Sequence, residues 1–429
     1  MDKRALAAAI EGRLPFAEEI FDDLERQTKD GEGVTRAAYS PEDQLGIDMI
    51  AAAAQELGLE VEHDFAGNVY ATLPGADRSA PAVLSGSHLD SVPKGGNYDG
   101  AAGAVAALTV LAALVDLGIT PARDMRCVGL RGEESVWYGI AYIGSRLATG
   151  SLNAAEVDRL QRGDTGRSLA DHMAELGMDV AALRAAPAPT VNAANTAAFL
   201  ELHIEQGPIL IDRKMPVAIP TVIRGNMRFP YARCLGAYAH SAAVPRENRQ
   251  DAVLATVELV RALDEFWQRL EAEGNPDTVF TVGKLFTDAD EHAMTKVPGE
   301  CQFTINFGGT AKDVLDRARD RTETLAAEIG ARRNVTFELG ECVGSDPTPI
   351  DDGLRGHLHQ TAEILDIPAH DMPTVGHDAS IFARAGIPSA MVLVRNQHGS
   401  HNADEAMEMD DFGLGVQVMG GAMVDIASS

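Results

Sequence analysis

From Ser40 the chain reads SPEDQLGIDMIAAAAQELG, with a Ser, a Pro and two acids followed by apolar residues at helical spacing as far as Gly58. A Ser at the cap, Pro at the first helical position and acids in the first turn predict a helix over this stretch. Two short β-like runs follow, NVYATL and AVLSGS, then the Ala-rich helical stretch GAVAALTVLAALVDLG and the strand-like run DMRCVGL. Residues from about Thr149 to Pro187 read as helical but more polar, an elaboration, before AAFLELHIE returns as a strand. Strands alternating with helices imply an α/β sheet covered on both faces.

After Gln206 the rhythm changes. VAIPTVIRG and RFPYARCL are strand-like, a long helix runs from about Arg249 to Leu270, DTVFTVGKLF and GECQFTINF are strand-like again, and a helix starts at Lys312. This β-β-α-β-β-α unit reads as an inserted α+β domain over residues 213–327. HDASIFARAGIPSAMVLV then restores the helix-to-buried-strand pattern. The first domain is therefore expected to be discontinuous, residues 1–212 with 328–429.

The length of 429 residues suits two such domains, and 45% hydrophobic with 23% charged residues marks a globular chain. No apolar run is long enough to span a membrane, and the start MDKRALAAAIEGRL is unlike a signal peptide, which gives a cytoplasmic expectation. Cys127, Cys234, Cys301 and Cys342 lie far apart without a CxxC pair, as reduced thiols do. A formal charge of −28 argues against nucleic acid and is compatible with a cation cofactor.

Open α/β sheets gather functional groups past the carboxyl ends of their strands. Four clusters stand at such points: SGSHLD with His88 and Asp90, continued by Asp99 in a Gly-rich turn; GEES with Glu133 and Glu134; LELHIEQG with His203, Glu205 and Gln206; and HGSHNADE with His398, His401 and Glu405. A single histidine is usually an ordinary surface or core residue, and paired glutamates are usually a solvated face. Four strand ends in a row delivering His, Asp, Glu and His to one sheet edge are not. Imidazoles and carboxylates suit borderline divalent ions, two ions can share one carboxylate, and a water between them has its pKa lowered toward about 7 by a zinc-like ion. A further carboxylate is then needed to move that water's proton to the leaving nitrogen.

The chain resembles the M20 metallopeptidase-like amidohydrolases, and within them the hydantoinase/carbamoylase branch of N-carbamoyl-L-amino-acid hydrolases, β-ureidopropionases and allantoate amidohydrolases. The likeness runs through GSHLDSVPKGGNYDGAAG, GEES, FLELHIEQGPIL, RQDAV, VPGE, GHDAS and SHNADE. It implies a mixed-sheet α/β catalytic domain carrying two divalent ions (zinc first, with manganese, cobalt or nickel possible), and an inserted α+β lid and dimerisation domain. By resemblance His88, Asp99, Glu134, His203 and His401 hold the ions, Glu133 is the general base and Asp90 orients His88. His240, in YAHSAAVP, would reach the partner subunit's site in a homodimer and stabilise an oxyanion. Gln206, Asn226 and His377 match positions that line the substrate pocket; Asp378 and Arg249 also match, with a structural role equally open to them.

Departures from the family pattern bear on specificity. Where the family carries an Asn and an Arg that grip a substrate carboxylate, this chain has Thr295 and Gly308. Arg395, Asn396 and His398 stand ahead of His401 where small or apolar residues are usual. Two expectations follow: Arg395 supplies the missing charge, or the substrate lacks a carboxylate there and uses space cleared by Gly308. The implied activity is hydrolysis of a linear carbon–nitrogen bond, a carbamoyl, ureido or related amide group on a small amino-acid-like molecule. The alternatives are an allantoate amidohydrolase, an aminoacylase or dipeptidase-like hydrolase, or a non-catalytic metal- or ligand-binding protein, for which the retained Glu133 has no use.

Overall fold

In the computed structural model, which describes residues 1–185 and 187–428, the strand Ala82–His88 is buried at all seven positions. A strand with no polar face belongs in the middle of a sheet covered on both sides. The hydrogen-bonded order there is Ser389–Val394, Thr196–Ile204, Ala82–His88, Met125–Leu130, Val69–Leu73, Glu60–His63. The first four of these run parallel, and the last two join antiparallel. Val217–Ile223 flanks Ser389–Val394 on the other side, also antiparallel. Helices cover this sheet. Ala101–Asp116 is buried around its whole circumference apart from its last turn, as expected of a helix that is apolar on every side. Each of its Val and Leu side chains contributes roughly 1.5–3 kcal/mol by leaving water.

The predicted helix after Ser40 forms over Pro41–Glu56, with the Ser40 hydroxyl accepting from the Glu42 and Asp43 amides. The polar elaboration after Thr149 folds into the 3-10 turn Ala154–Asp158 and the helices Leu169–Glu175 and Val180–Arg184. Leu169, Met173, Val180 and Leu183 share a small core with Tyr39, Trp137 and Tyr138.

Contacts divide the chain into two units, residues 1–221 with those from 350 on, and Val222–Pro349. In the second unit an antiparallel sheet runs Val279–Thr281, Glu300–Gly309, Gly225–Leu235, Thr336–Glu338. The helices Ala252–Ala272 and Lys312–Arg333 bury Leu259, Leu263, Val314 and Leu325 in one core with Phe229, Phe303, Ile305 and Phe307. The boundaries differ from those expected at 212/213 and 327/328. Val217–Ile223 pairs with Ser389–Val394 and so begins in the first unit. The helix Lys312–Arg333 runs straight through 327/328, and the strands Thr336–Glu338 and Val343–Ser345 after it pair with Gly225–Leu235. Among the described residues no helix is long and apolar enough to cross a membrane, and all four cysteines are free.

Candidate metal centre and active site

The carboxyl ends of the four parallel strands carry the predicted ligands. His88 ends its strand and His203 is last but one in the next. Glu133 and Glu134 follow Met125–Leu130, and His401 follows Ser389–Val394. Asp99 stands at the centre of the cluster. Its Oδ1 lies 3.4 Å from His88 Nε2 and 3.3 Å from His203 Nε2. Its Oδ2 lies 3.4 Å from His401 Nε2, which is itself 3.4 Å from Glu134 Oε1. Two donor sets result, His88–Asp99–His203 and Asp99–Glu134–His401, each with its ligand atoms within 4.8 Å of one another.

These residues fit a pair of divalent ions. Tetrahedral ligands bonded to zinc at about 2.0–2.1 Å stand roughly 3.3 Å apart, which is the spacing between the nitrogens and oxygens here. The tautomers fit as well. His88 Nδ1 lies 2.9 Å from the Asp90 carbonyl and His203 Nδ1 lies 3.0 Å from the Ile204 carbonyl, so each Nδ1–H donates to backbone and each Nε2 faces Asp99, where a cation can replace its proton. Gly100 makes room for this. It sits at φ +70°, and a Cβ there would stand 2.3 Å from the His88 ring.

The charges point the same way. Burial opposes a charged His88, but Asp90 and Asp99 raise it well above the usual imidazole range. The Asp99 contact raises His401 to about 9. Asp99 is buried, yet contacts with His203, His401 and His88 hold it well below the usual carboxylate range. Burial, with Asp99 adding to it, lifts Glu134 to about 7. Such a cluster of carboxylates keeps protons on its imidazoles, and a divalent cation can take their place.

Around the ligands, Asp90 is wholly buried and its two oxygens accept the backbone N–H groups of Glu133 and Glu134, each at 3.1 Å. It orients His88 chiefly through its backbone carbonyl, the carboxylate being 3.6 Å from His88 Nδ1. Glu133 therefore shares one anchored turn with the candidate ligand Glu134. Burial raises the Glu133 carboxyl well above its ordinary value, opposed by His88. The Gln206 side-chain amide donates to Asp99 Oδ2 at 2.7 Å, and its buried Oε1 has no partner. The His377 ring lies against His203 with centroids 4.3 Å apart, and its Nε2 meets the Thr374 hydroxyl. Burial, then the neighbouring His203, push His377 well below the usual range. Asp378 pairs with the Ser145 hydroxyl.

Glu405 and Ser400 hold the Asp99 segment in place. Glu405 Oε1 accepts the Tyr98 and Asp99 amides, while the Ser400 hydroxyl contacts both Asp99 and Glu405. Their only sequence signal is proximity to His401. Asn396 links two strand ends, accepting from the Gln206 amide at 2.9 Å and donating to the Gly399 carbonyl. Arg395 corrects an expectation. Its Nε and Nη2 form a two-pronged pair with Asp411 at 2.7 and 2.9 Å, so its fork is already engaged and does not offer a free charge for a substrate. Glu205 caps the helix Ile209–Arg213 through the Ile209 and Leu210 amides.

In the second unit, His240 is exposed on the two-residue strand Ala239–His240, paired with Lys296–Val297. Arg249 secures the following turn by donating to the Val244 and Ser241 carbonyls. Asn226 lies opposite Gly308, and Arg228 opposite Asn306. Gly308 does not leave an open space, since a Cβ there would stand 2.7 Å from Val279 Cγ2. Arg228 is exposed, its Nε donates to Asn306 Oδ1 at 2.9 Å, and among the described residues no carboxylate pairs with it.

A family model described as Peptidase family M20/M25/M40 matches residues 84–425. The chain is 30% identical over 92% of its length, and 94% of the relative's, to an N-carbamoyl-L-amino-acid amidohydrolase of Paenarthrobacter aurescens. It is 28% identical over 90% of its length to an allantoate amidohydrolase of Bacillus subtilis, 91% of which is covered. Among solved structures, an amidase of the hydantoinase/carbamoylase family from Burkholderia multivorans superposes with a TM-score of 0.87 at 26% identity, covering 97% of this chain and 98% of that one.

Proposed function

We propose, from the premise that the chain belongs to peptidase family M20/M25/M40, that it hydrolyses the linear carbon–nitrogen bond of an N-carbamoyl or related ureido group on a small carboxylate-bearing substrate. The chain is an amidohydrolase acting on non-peptide carbon–nitrogen bonds, like the relatives it matches. One observation carries the reading: Glu133 stands in the same Asp90-anchored turn as Glu134, which belongs to one of two adjoining groups able to hold an ion.

His88, Asp99, Glu134, His203 and His401 would hold the ions, with Asp99 shared between them. A bound pair of divalent ions supplies Lewis acidity toward water and toward the substrate carbonyl. Glu133, with its proton affinity raised by burial, accepts a proton from the attacking water and returns it to the departing nitrogen. His377 stays neutral beside His203. Gln206 orients Asp99 through its amide and leaves Oε1 to accept a substrate N–H.

The reading is tested by assaying ammonia release from N-carbamoyl-L-amino acids, allantoate and their amides, beside N-acyl amino acids and dipeptides. Ammonia from the ureido carboxylates is expected. Turnover confined to N-acyl amino acids or dipeptides would overturn the carbamoyl reading.

A further inference from the structure

We infer that Arg36 is a positioning residue of the metal centre, closing the loop between His88 and Asp99 by gripping both of its ends. The inference rests on the two-ion reading of that centre. Arg36 is wholly buried. Its Nε donates to the Leu89 carbonyl at 2.7 Å, its Nη1 to Asn97 Oδ1 at 3.0 Å, and its Nη2 to the Asn97 carbonyl at 3.2 Å. Leu89 directly follows one ligand, and Asn97 stands two residues before the shared one. The main chain adds a third tie: the Arg36 amide donates to Ser91 Oγ, and the Ser91 amide donates to the Arg36 carbonyl, both at 2.9 Å.

The rest of the segment lies along the same loop. Val34 and Gly95 exchange backbone hydrogen bonds at 3.0 and 2.9 Å, and the Lys94 amide donates to the Thr35 hydroxyl. Gly33 approaches so closely that a Cβ would stand 2.6 Å from the Gly95 carbonyl oxygen. Seven residues beyond Arg36, buried Asp43 pairs at 2.8 Å with Arg131, itself buried and two residues ahead of Glu133. One short stretch, outside the residues that match the family model, thus grips two of the strand-end loops that carry the site.

Burying a guanidinium with no carboxylate in contact is costly. Among the described residues Arg36 has no acid at ion-pair distance, so its cost is offset by neutral acceptors and by the field of nearby acids. Burial lowers it to about 10, while Glu405, Asp90, Asp43 and Asp99 hold it up. Only a planar fork reaches two carbonyls and an amide oxygen together; a lysine ammonium carries the charge but not that span.

The test uses purified full-length enzyme, stripped of metal by chelation and titrated with Co²⁺, in wild type, Arg36→Lys and Arg36→Met. Circular dichroism and thermal melting confirm folding. Expected are Co²⁺ affinities at least about tenfold weaker in both variants, the scale seen when groups that orient ligands are lost. The visible cobalt spectrum should change, and kcat at saturating metal should fall by at least about tenfold with KM within about threefold. Should either variant fail to fold, Asn97→Ala removes one end of the grip and reads the same quantities. Folded variants with wild-type cobalt affinity and spectrum would overturn the inference, as would a wild-type-like Arg36→Lys beside a deficient Arg36→Met, since charge alone would then suffice. A wild-type chain that takes up no Co²⁺ would instead overturn the metal-centre reading.

Discussion

Asp90→Asn keeps the shape of a wholly buried side chain and removes its charge. In the native protein each Asp90 oxygen accepts one backbone N–H, from Glu133 and from Glu134, at 3.1 Å. In the variant one oxygen becomes an NH₂ group, so one amide hydrogen faces another donor. Losing a hydrogen bond to a charged group costs about 1.5–3 kcal/mol, and stranding a buried N–H costs about 1–3 kcal/mol more. The turn cannot escape by turning to water, because Glu134 is buried with it. If relaxation recovers about half of that sum, about 1–3 kcal/mol remains, and at about 1.36 kcal/mol per decade kcat falls about 10- to 10²-fold.

On the proposed reading the same turn carries the base and a ligand, so ion affinity should fall with kcat, by about 10–100-fold. The assay is kcat and KM at saturating metal, with ion content measured by elemental analysis after dialysis. A variant that kept kcat within about threefold and retained both ions would show that the Asp90 carboxylate does not hold this turn.

Glu133→Gln should instead lower kcat by at least about 10²-fold while keeping both ions, and elemental analysis showing ion loss would make Glu133 a ligand rather than the base. Ion uptake should release protons at pH 7 and strengthen as pH rises toward 9, because Glu134 at about 7 and His401 at about 9 must shed protons to bind a cation; calorimetry in two buffers of different ionisation enthalpy would refute this by showing no proton release. Arg395→Ala should cost about 1.5–3 kcal/mol of stability through the loss of its fork on Asp411 and leave the preference for free acid over amide unchanged, so a collapse of that preference would return Arg395 to the substrate. In mixed dimers of His240→Ala and Glu133→Gln subunits, activity should recover if His240 acts across a dimer interface; no recovery after confirmed subunit exchange would confine it to its own chain.

The strand-end clusters were legible because parallel strands buried on both faces read as unbroken apolar runs, and AVLSGSH is such a run, ending on the proposed ligand His88. The second unit's limit was not legible. Thr336–Glu338 and Val343–Ser345 are three-residue edge strands, largely exposed, and segments that short carry no period to count. Arg395 illustrates a different limit. Its partner Asp411 lies sixteen residues on, across a loop and at the start of the helix Met409–Ser428, and pairing at that distance is decided by the fold. Arg36 is the extreme case: an arginine in a polar stretch reads as surface, and only the closing of the metal loop over it makes it core.

Backbone strain occurs around the proposed centre, at Lys94 and Tyr142 as well as beyond the strands Thr196–Ile204 and Ser389–Val394. Gln206, His398 and His401 all adopt left-handed conformations, at φ 65°, 64° and 61°, each of which costs on the order of 1–3 kcal/mol for a residue with a Cβ. They stand past the ends of neighbouring parallel strands, and the wholly buried Asn396 ties those ends together by bonding to the Gln206 amide and the Gly399 carbonyl. Relaxing either residue would break that tie or pull an amide or imidazole away from Asp99. His88 and His203 need no such strain, being held within or at the end of regular strands and almost fully buried. His401, with its side chain 53% exposed, is the proposed ligand that must be both fixed and open to solvent. A left-handed residue braced by a buried asparagine meets both demands, since the brace fixes the backbone while the imidazole remains at the surface.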